Sequence, residues 1–135
     1  MDAPIFENLD LACAKAGKDI ADRQSKEKEL ENLITSALAV LEEQGVYALF
    51  LYLKAHGKDI GKTVSEKLHD FLKKTPQRSP LLEDEVDILS ALRKLGEDLD
   101  NLLLARNLLR QSLVYARYHA RLREESEVRN DMDTV

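Results

Sequence analysis

The sequence has few residues that interrupt helices or form disulfides, and no long apolar run. Its 135 residues include five glycines, three prolines, one cysteine and no tryptophan. A single cysteine excludes an internal disulfide and fits a reducing compartment. No apolar run reaches the about 20 residues that span a bilayer. The acidic start, "MDAPIFENLD", lacks the basic and apolar regions of a secretory signal. We therefore expect a soluble cytoplasmic protein with no membrane partner.

Strand signals are also missing. No segment alternates apolar and polar residues with β-branched enrichment for long enough to predict a strand. Alanine, leucine, glutamate, lysine and arginine dominate, and these residues favour helices. The length suits one ordinary domain, which buries about two-thirds of the surface of its unfolded chain. We expect an all-α fold, a compact single-domain bundle of about six helices over residues 1–126, followed by a frayed polar tail at 127–135.

Apolar periodicity and capping signals give the helix limits. The predicted helices are 3–23, 26–44, 46–55, 64–74, 81–96 and 98–125. Ser25 is a suitable N-cap for the second helix, and Thr63 with Glu66 forms a capping-box pattern before the fourth. The third helix is apolar nearly all round, which predicts a position at the centre of the bundle.

Motifs for catalysis or metal binding are weak. Residues 57–63, "GKDIGKT", end like a phosphate-binding loop but have three residues before the Gly-Lys pair where the motif needs four. His56, His69 and His119 are far apart and have no metal-site spacing. We expect no enzymatic activity, catalytic residue, metal, cofactor or small-molecule substrate. The enzyme alternative is a nucleotide site that depends on Lys62.

Charge is segregated along the chain. Five of the 20 basic residues, and none of the 25 acidic ones, lie in 101–123, although the net charge is −5. At about 100° per residue, four arginines of this helix fall within about 60° of one another. This arginine row consists of Arg106, Arg110, Arg117 and Arg121. Like charges at i, i+4 destabilise a helix, so we expect the compensation to come from another helix or from another molecule.

Two interpretations of the arginine row stay open. In the first, acids of neighbouring helices pair with the row, and the chain is a helical protein–protein adaptor with no nucleic-acid role. The acids considered for this are Glu83, Asp84, Glu97 and those of the first helix. In the second, the row binds phosphates, because guanidinium groups form bidentate, charge-assisted hydrogen bonds with them. Such contacts position a nucleic-acid backbone without reading bases.

Two segments carry a resemblance to a known family. "LLLARNLLRQSLVYARYHARL", 102–122, resembles the closing helix of the small α-helical subunit of the type III-B (Cmr-type) CRISPR effector complex. "LEEQGVYALFLYLKA", 41–55, resembles an earlier segment of the same subunit, with Gly45, Val46 and Phe50 in matching places. The chain departs from the family in having Gln44 where the family has asparagine, and in lacking its tryptophan.

The resemblance implies a noncatalytic subunit that stacks with copies of itself and with other CRISPR effector subunits. Such subunits line the groove that holds the guide RNA–target RNA duplex and touch its backbone. The implied RNA-binding residues are those of the arginine row, with weaker additions from the turn between the third and fourth helices. These additions are Lys54, Lys58 and Lys62.

Overall fold

The computed structural model describes residues 7–23, 26–83 and 87–133, with side chains described as far as 126. Within these ranges the chain forms six α-helices and no strand, which confirms the predicted all-α bundle. The helices are α1 (Leu9–Asp22), α2 (Glu27–Gln44), α3 (Val46–His56), α4 (Lys58–Lys74), α5 (Ile88–Leu95) and α6 (Leu99–Asp133).

The centre of the bundle is α6. It packs against α1, which runs in the same direction, and against α2, which runs in the opposite direction, and it touches α3. The predicted central position of the third helix is confirmed only in part: α3 contacts α2, α4, α5 and α6, but one side of it faces solvent. Leu49, Phe50 and Leu53 of α3 are buried, but Tyr47 and Leu51 are exposed. The apolar character of α3 therefore exceeds what its single packed face requires.

Small residues bring α1 and α6 close together. Gly17 lies so near α6 that a Cβ added to it would be 2.6 Å from the Ala116 nitrogen and 2.7 Å from the Ser112 carbonyl oxygen. The buried small residues repeat every four positions on both helices, at Cys13, Gly17 and Ala21 and at Ser112, Ala116 and Ala120. The contact is therefore made largely between the two backbones, where no larger side chain has room.

The fourth helix starts earlier than predicted. It begins at Lys58, directly after Gly57, and the positive φ of Lys58 (49°) turns the chain from α3 into α4. Thr63 lies inside α4, where its hydroxyl donates to the main-chain oxygen of Asp59 at 3.0 Å, so the predicted capping box is wrong. Gly61 does not break the helix. A Cβ there would overlap the Leu53 carbonyl oxygen, so this glycine permits close packing of α4 on α3.

The fifth helix is shorter than predicted. Asp87 is its N-cap and accepts hydrogen bonds from the Leu89 amide at 3.2 Å and the Ser90 hydroxyl at 2.8 Å. These bonds, the Ser90 bond first, hold the pKa of Asp87 below its usual range. Leu81 and Leu82 precede the helix as buried residues of an irregular segment.

The observed ends of other helices also differ from the predicted ones. The α6 backbone stays helical to Asp133, beyond the predicted end at 125. The first helix begins at Leu9, later than predicted, because the Asn8 side chain accepts from the Leu11 amide at 2.9 Å and caps it. The second begins at Glu27 with Lys26 at the N-cap position. The predicted start at residue 3 and Ser25 itself lie outside the described residues.

Candidate interface on the last helix

The arginine row lies along the border between α6 and α2. Arg106 and Arg110 both pair with the Glu42 carboxylate, at 3.3 Å for Arg106. Eleven residues earlier on α2, Glu31 lies 3.9 Å from Arg121. The row is therefore partly compensated within the chain, by a helix that runs antiparallel to α6.

The acids in these pairs differ from those predicted. Glu83 bonds to Lys94 at 2.8 Å, and no ion pair joins Glu97 to a described arginine. Asp84 lies outside the described residues. The periodicity of α6 identifies which arginines share a face, but it does not determine which neighbouring helix that face meets.

Two arginines of α6 complete the ends of other helices. Arg106 donates to the main-chain oxygen of Glu42 at 3.0 Å, and Arg123 donates to that of Ala21. Neither α1 nor α2 has a basic residue in its own last turn. A guanidinium at each C-terminus satisfies free carbonyl groups and complements the helix dipole. These two side chains therefore stabilise the bundle.

Arg123 has a second partner that the sequence did not reveal. Its guanidinium lies 3.6 Å from Oε1 of Glu27, a carboxylate only 6% exposed at the start of α2. That oxygen has no aligned hydrogen bond, so the contact is an ion pair. Arg123 follows Ala116 by seven residues and shares its α1-facing side. This spacing is the signal that could have assigned it to the α1–α2 turn.

Not every arginine along the α2–α6 border has an acidic partner among the described residues. Glu42 serves two arginines: Arg110 contacts it through Nε, whereas Arg106 keeps a buried Nε without an aligned acceptor. Arg117 makes no hydrogen bond or ion pair with any described residue, and the side chain of Arg121 is 68% exposed. Four arginines of α6 thus pair with three glutamates of α2: Arg106, Arg110, Arg121 and Arg123, with Glu27, Glu31 and Glu42. The positive excess lies at Arg117 and Arg121.

Apolar side chains flank that excess on the solvent side. Tyr118 and Leu122, one helical turn apart, are each 61% exposed, and Leu103 is exposed nearer the start of α6. Tyr118 and Leu122 are therefore not covered by another described helix. Tyrosine and arginine are enriched in protein interfaces, so this surface has the composition of a binding face.

On the opposite border, α6 meets a carboxylate of α1 through uncharged donors. The Tyr115 hydroxyl donates to Asp10 of α1 at 2.9 Å, and the Gln111 amide donates to the same carboxylate at 3.4 Å. The bond to Asp10 raises the pKa of Tyr115. Deeper in this border, burial raises the pKa of the Cys13 thiol, which donates to the Leu108 carbonyl at 3.5 Å.

The three predicted lysines lie elsewhere. Lys54, Lys58 and Lys62 are exposed around the α3–α4 turn, whereas the arginines follow the α2–α6 border. Lys54 and Lys62 line a cavity of about 210 Å³ that also includes Ser65 and His69. The described contacts do not join these lysines to the arginine row.

The remaining sequence motifs form no loop or ligand cluster. All of residues 58–63 belong to α4, so they do not form the loop that a phosphate-binding motif requires. Across 7–23, 26–83 and 87–133, no group of three metal-ligating side chains comes together. Within the same ranges, every helix is too short or too polar to cross a bilayer.

Comparison with known proteins adds no relative. No protein-family model, curated protein or solved structure matches this chain.

Proposed function

We propose that this chain is a noncatalytic small subunit of a cytoplasmic CRISPR RNA-guided effector complex. In this role it stacks along the complex with other subunits and touches the target RNA backbone without reading bases. The contact surface is the part of the arginine row that α2 leaves available, Arg117 and Arg121, and Arg110 can join it only by releasing Glu42.

The observation that carries the proposal is the incomplete compensation of the arginines. Arg117 has no partner among the described residues, and Arg121 is mostly exposed. At about 1.5 Å of rise per residue, Arg110 to Arg121 spans about 16 Å along one side of a rigid helix. This arrangement suits successive phosphates of one strand, since guanidinium groups bind phosphate oxygens strongly. The family resemblance of 102–122 agrees with this use.

Arg106 has a smaller part in this proposal than the sequence suggested. Its guanidinium already bonds to the main chain and the carboxylate of Glu42. A phosphate would have to replace both bonds. We therefore place Arg106 with Arg123 as a residue that holds the bundle together. The lysines of the α3–α4 turn remain weaker candidates, because they lie apart from the row.

The test changes Arg117 and Arg121 to glutamine together, in a guide-loaded complex reconstituted with this subunit. Each lost phosphate contact lowers the slope of log affinity against log salt by about 0.7 to 0.9. We expect weaker target RNA binding for every target sequence and a slope reduced by about 1.5 for the pair. Titration of labelled target RNA at several salt concentrations measures both quantities.

The matched control changes Arg78 and Arg93 to glutamine. Both are exposed, both lie outside the α2–α6 border, and the loss of charge is the same. The control should keep the wild-type affinity and slope. If the Arg117 and Arg121 double variant also keeps them, the proposal is wrong.

A second candidate function is a protein–protein adaptor with no nucleic-acid role. The pairing of Arg106 and Arg110 with Glu42 favours it, and so do the exposed Tyr118 and Leu122. Changing Tyr118 to alanine and Leu122 to serine distinguishes the two functions. An adaptor loses its place in the complex, whereas an RNA-contacting subunit whose neighbours bind elsewhere stays assembled. Sedimentation of the reconstituted complex measures this.

A further inference from the structure

A groove lies between α1 and α4, away from the arginine row. It consists of two adjoining cavities of about 350 and 380 Å³, which share the lining residues Ala12, Lys15, Lys74 and Thr75. This α1–α4 groove runs from Asp19 and Lys67 at one end to Glu7 and Gln77 at the other. From Asn8, the N-cap of α1, to Asp19 this is about 16 Å at 1.5 Å per residue, the length of about five extended residues.

The floor of the groove is apolar. Leu11, Ala12, Ala16 and Phe71 line it, and Leu11 is 47% exposed. Because α1 carries small residues here, α4 leaves space above them. An incoming apolar side chain would remove the surface of Leu11 and Phe71 from water, which favours binding.

Two cations at the middle of the groove have no partner among the described residues. Lys15 and Lys74 are exposed and make no hydrogen bond or ion pair with a described residue. The third lysine of the groove, Lys67, already pairs with Asp19 at 3.4 Å. The middle of the groove can therefore accept a carboxylate.

One end of the groove offers the opposite chemistry. Oε1 of Glu7 accepts a hydrogen bond from the main-chain amide of Gln77 at 2.7 Å. A ligand that fills the groove meets donors at Lys15 and Lys74 and acceptors at the carboxylates of the lining, Glu7, Asp19 and Asp70. A peptide can match both, whereas a phosphate backbone has acceptors alone. The three carboxylates also balance the three lysines of the lining, so the groove has no net positive charge that would attract a polyanion.

We propose that the α1–α4 groove binds a short peptide segment of a partner protein, in which a carboxylate side chain is flanked by apolar residues. The apolar side chains lie on Leu11 and Phe71. The carboxylate lies between Lys15 and Lys74, and main-chain N–H groups donate to the carboxylates of the lining. This site goes beyond the proposed function and does not depend on RNA binding.

The experiment titrates the full chain into a fluorescein-labelled peptide, Ala-Leu-Asp-Phe-Leu-Ala, and into the same peptide with asparagine in place of aspartate. Fluorescence anisotropy measures the affinity. We expect the aspartate peptide to bind about fivefold more tightly, because a charge pair at an accessible rim contributes modestly. Lys15→Glu and Lys74→Glu should each weaken the aspartate peptide by a similar factor and leave the asparagine peptide nearly unchanged.

The matched control is Lys28→Glu. Lys28 is exposed on α2, lines neither cavity and gives the same change of charge. It should bind both peptides as the wild type does. In a ¹⁵N-labelled chain, the amide shifts caused by the peptide should lie on 9–19 and 67–74. Equal affinity for the two peptides, or shifts confined to α6, would overturn the proposal.

Other occupants give separate results. If the chain dimerises in sedimentation and Lys15→Glu and Lys74→Glu abolish the dimer, a second copy fills the groove and the partner proposal is wrong. If the same variants weaken binding of a labelled uridine decamer instead of the peptide, the ligand is a nucleic acid and the proposal is wrong. If the Arg117 and Arg121 double variant keeps the wild-type dependence of RNA affinity on salt, only the proposed RNA contact is contradicted.

Discussion

The two long borders of α6 are built on different chemistry. Against α1, the contact is close enough that Gly17 meets the α6 backbone, and Tyr115 and Gln111 of α6 donate to the Asp10 carboxylate. Against α2, arginine–glutamate pairs line the edge. Shape determines the first border, where Asp10 already accepts hydrogen bonds from α6. The second keeps cations at the surface, where a ligand can compete for them.

Disrupting the packing of α1 against α6 should lower the free energy of unfolding more than any other change below. Gly17→Ala would gain about 1 kcal/mol of helix propensity, but its Cβ would overlap backbone atoms of Ser112 and Ala116. Because backbone atoms cannot rotate away, overpacking should outweigh that gain and lower the free energy of unfolding by about 2–3 kcal/mol net. Urea denaturation measures this. Gly96→Ala is the control: its nearest atom is 3.4 Å away at an ordinary helical φ, so stability should hardly change.

Removing the arginine that joins α6 to the α1–α2 turn should have the next largest effect. Arg123→Met keeps the apolar stem but leaves Glu27 without its ion pair and the end of α1 without a donor. We expect a loss of about 1–2 kcal/mol. Adding Glu27→Gln should restore part of it, since an unpaired buried charge accounts for much of the cost. Arg121→Met, at an exposed position, should change stability by less than about 0.5 kcal/mol.

Weakening the α2 border should change binding more than stability. Glu42→Gln removes the carboxylate shared by Arg106 and Arg110, both partly exposed, so the free energy of unfolding should fall by less than about 1 kcal/mol. If phosphates bind this surface, affinity of the reconstituted complex for target RNA should rise, because the arginines lose a competitor. Glu43→Gln, an exposed neighbour without a described ion pair, provides the control. A fall in RNA affinity for Glu42→Gln would contradict the proposed contact.

The hydrogen bond from Tyr115 to Asp10 at the α1 border should have the smallest effect on stability, and only at high pH. The bond to Asp10 raises the pKa of Tyr115, so the folded chain keeps this proton to higher pH than the unfolded chain. Its contribution to stability is complete below the unfolded pKa of about 10 and is lost as pH rises through the higher folded-state pKa. Melting temperatures between pH 8 and 11 should therefore fall more steeply for the wild type than for Tyr115→Phe.

Signals within a short stretch of sequence predicted helix limits that depend on that stretch alone. Gly45 and Gly57 enclose α3, and the predicted 46–55 agrees with Val46–His56 to one residue. The Thr63 and Glu66 pattern misled the prediction of α4, because a threonine that caps a helix and one that bonds to a main-chain oxygen inside it look alike in sequence. The shared face of the arginine row follows from helix geometry. Its partners on α2 do not, since they depend on how the helices are arranged in space.

The length of α6 affects the size of the whole molecule in solution. Its 35 residues span about 52 Å at 1.5 Å per residue, and its last described contacts with α1 and α2 are at Arg123. About ten residues, or about 15 Å of helix, follow that point. A compact chain of this length has a radius of gyration of about 14 Å. Small-angle scattering should give a larger value and an asymmetric distance distribution with a tail at long distances.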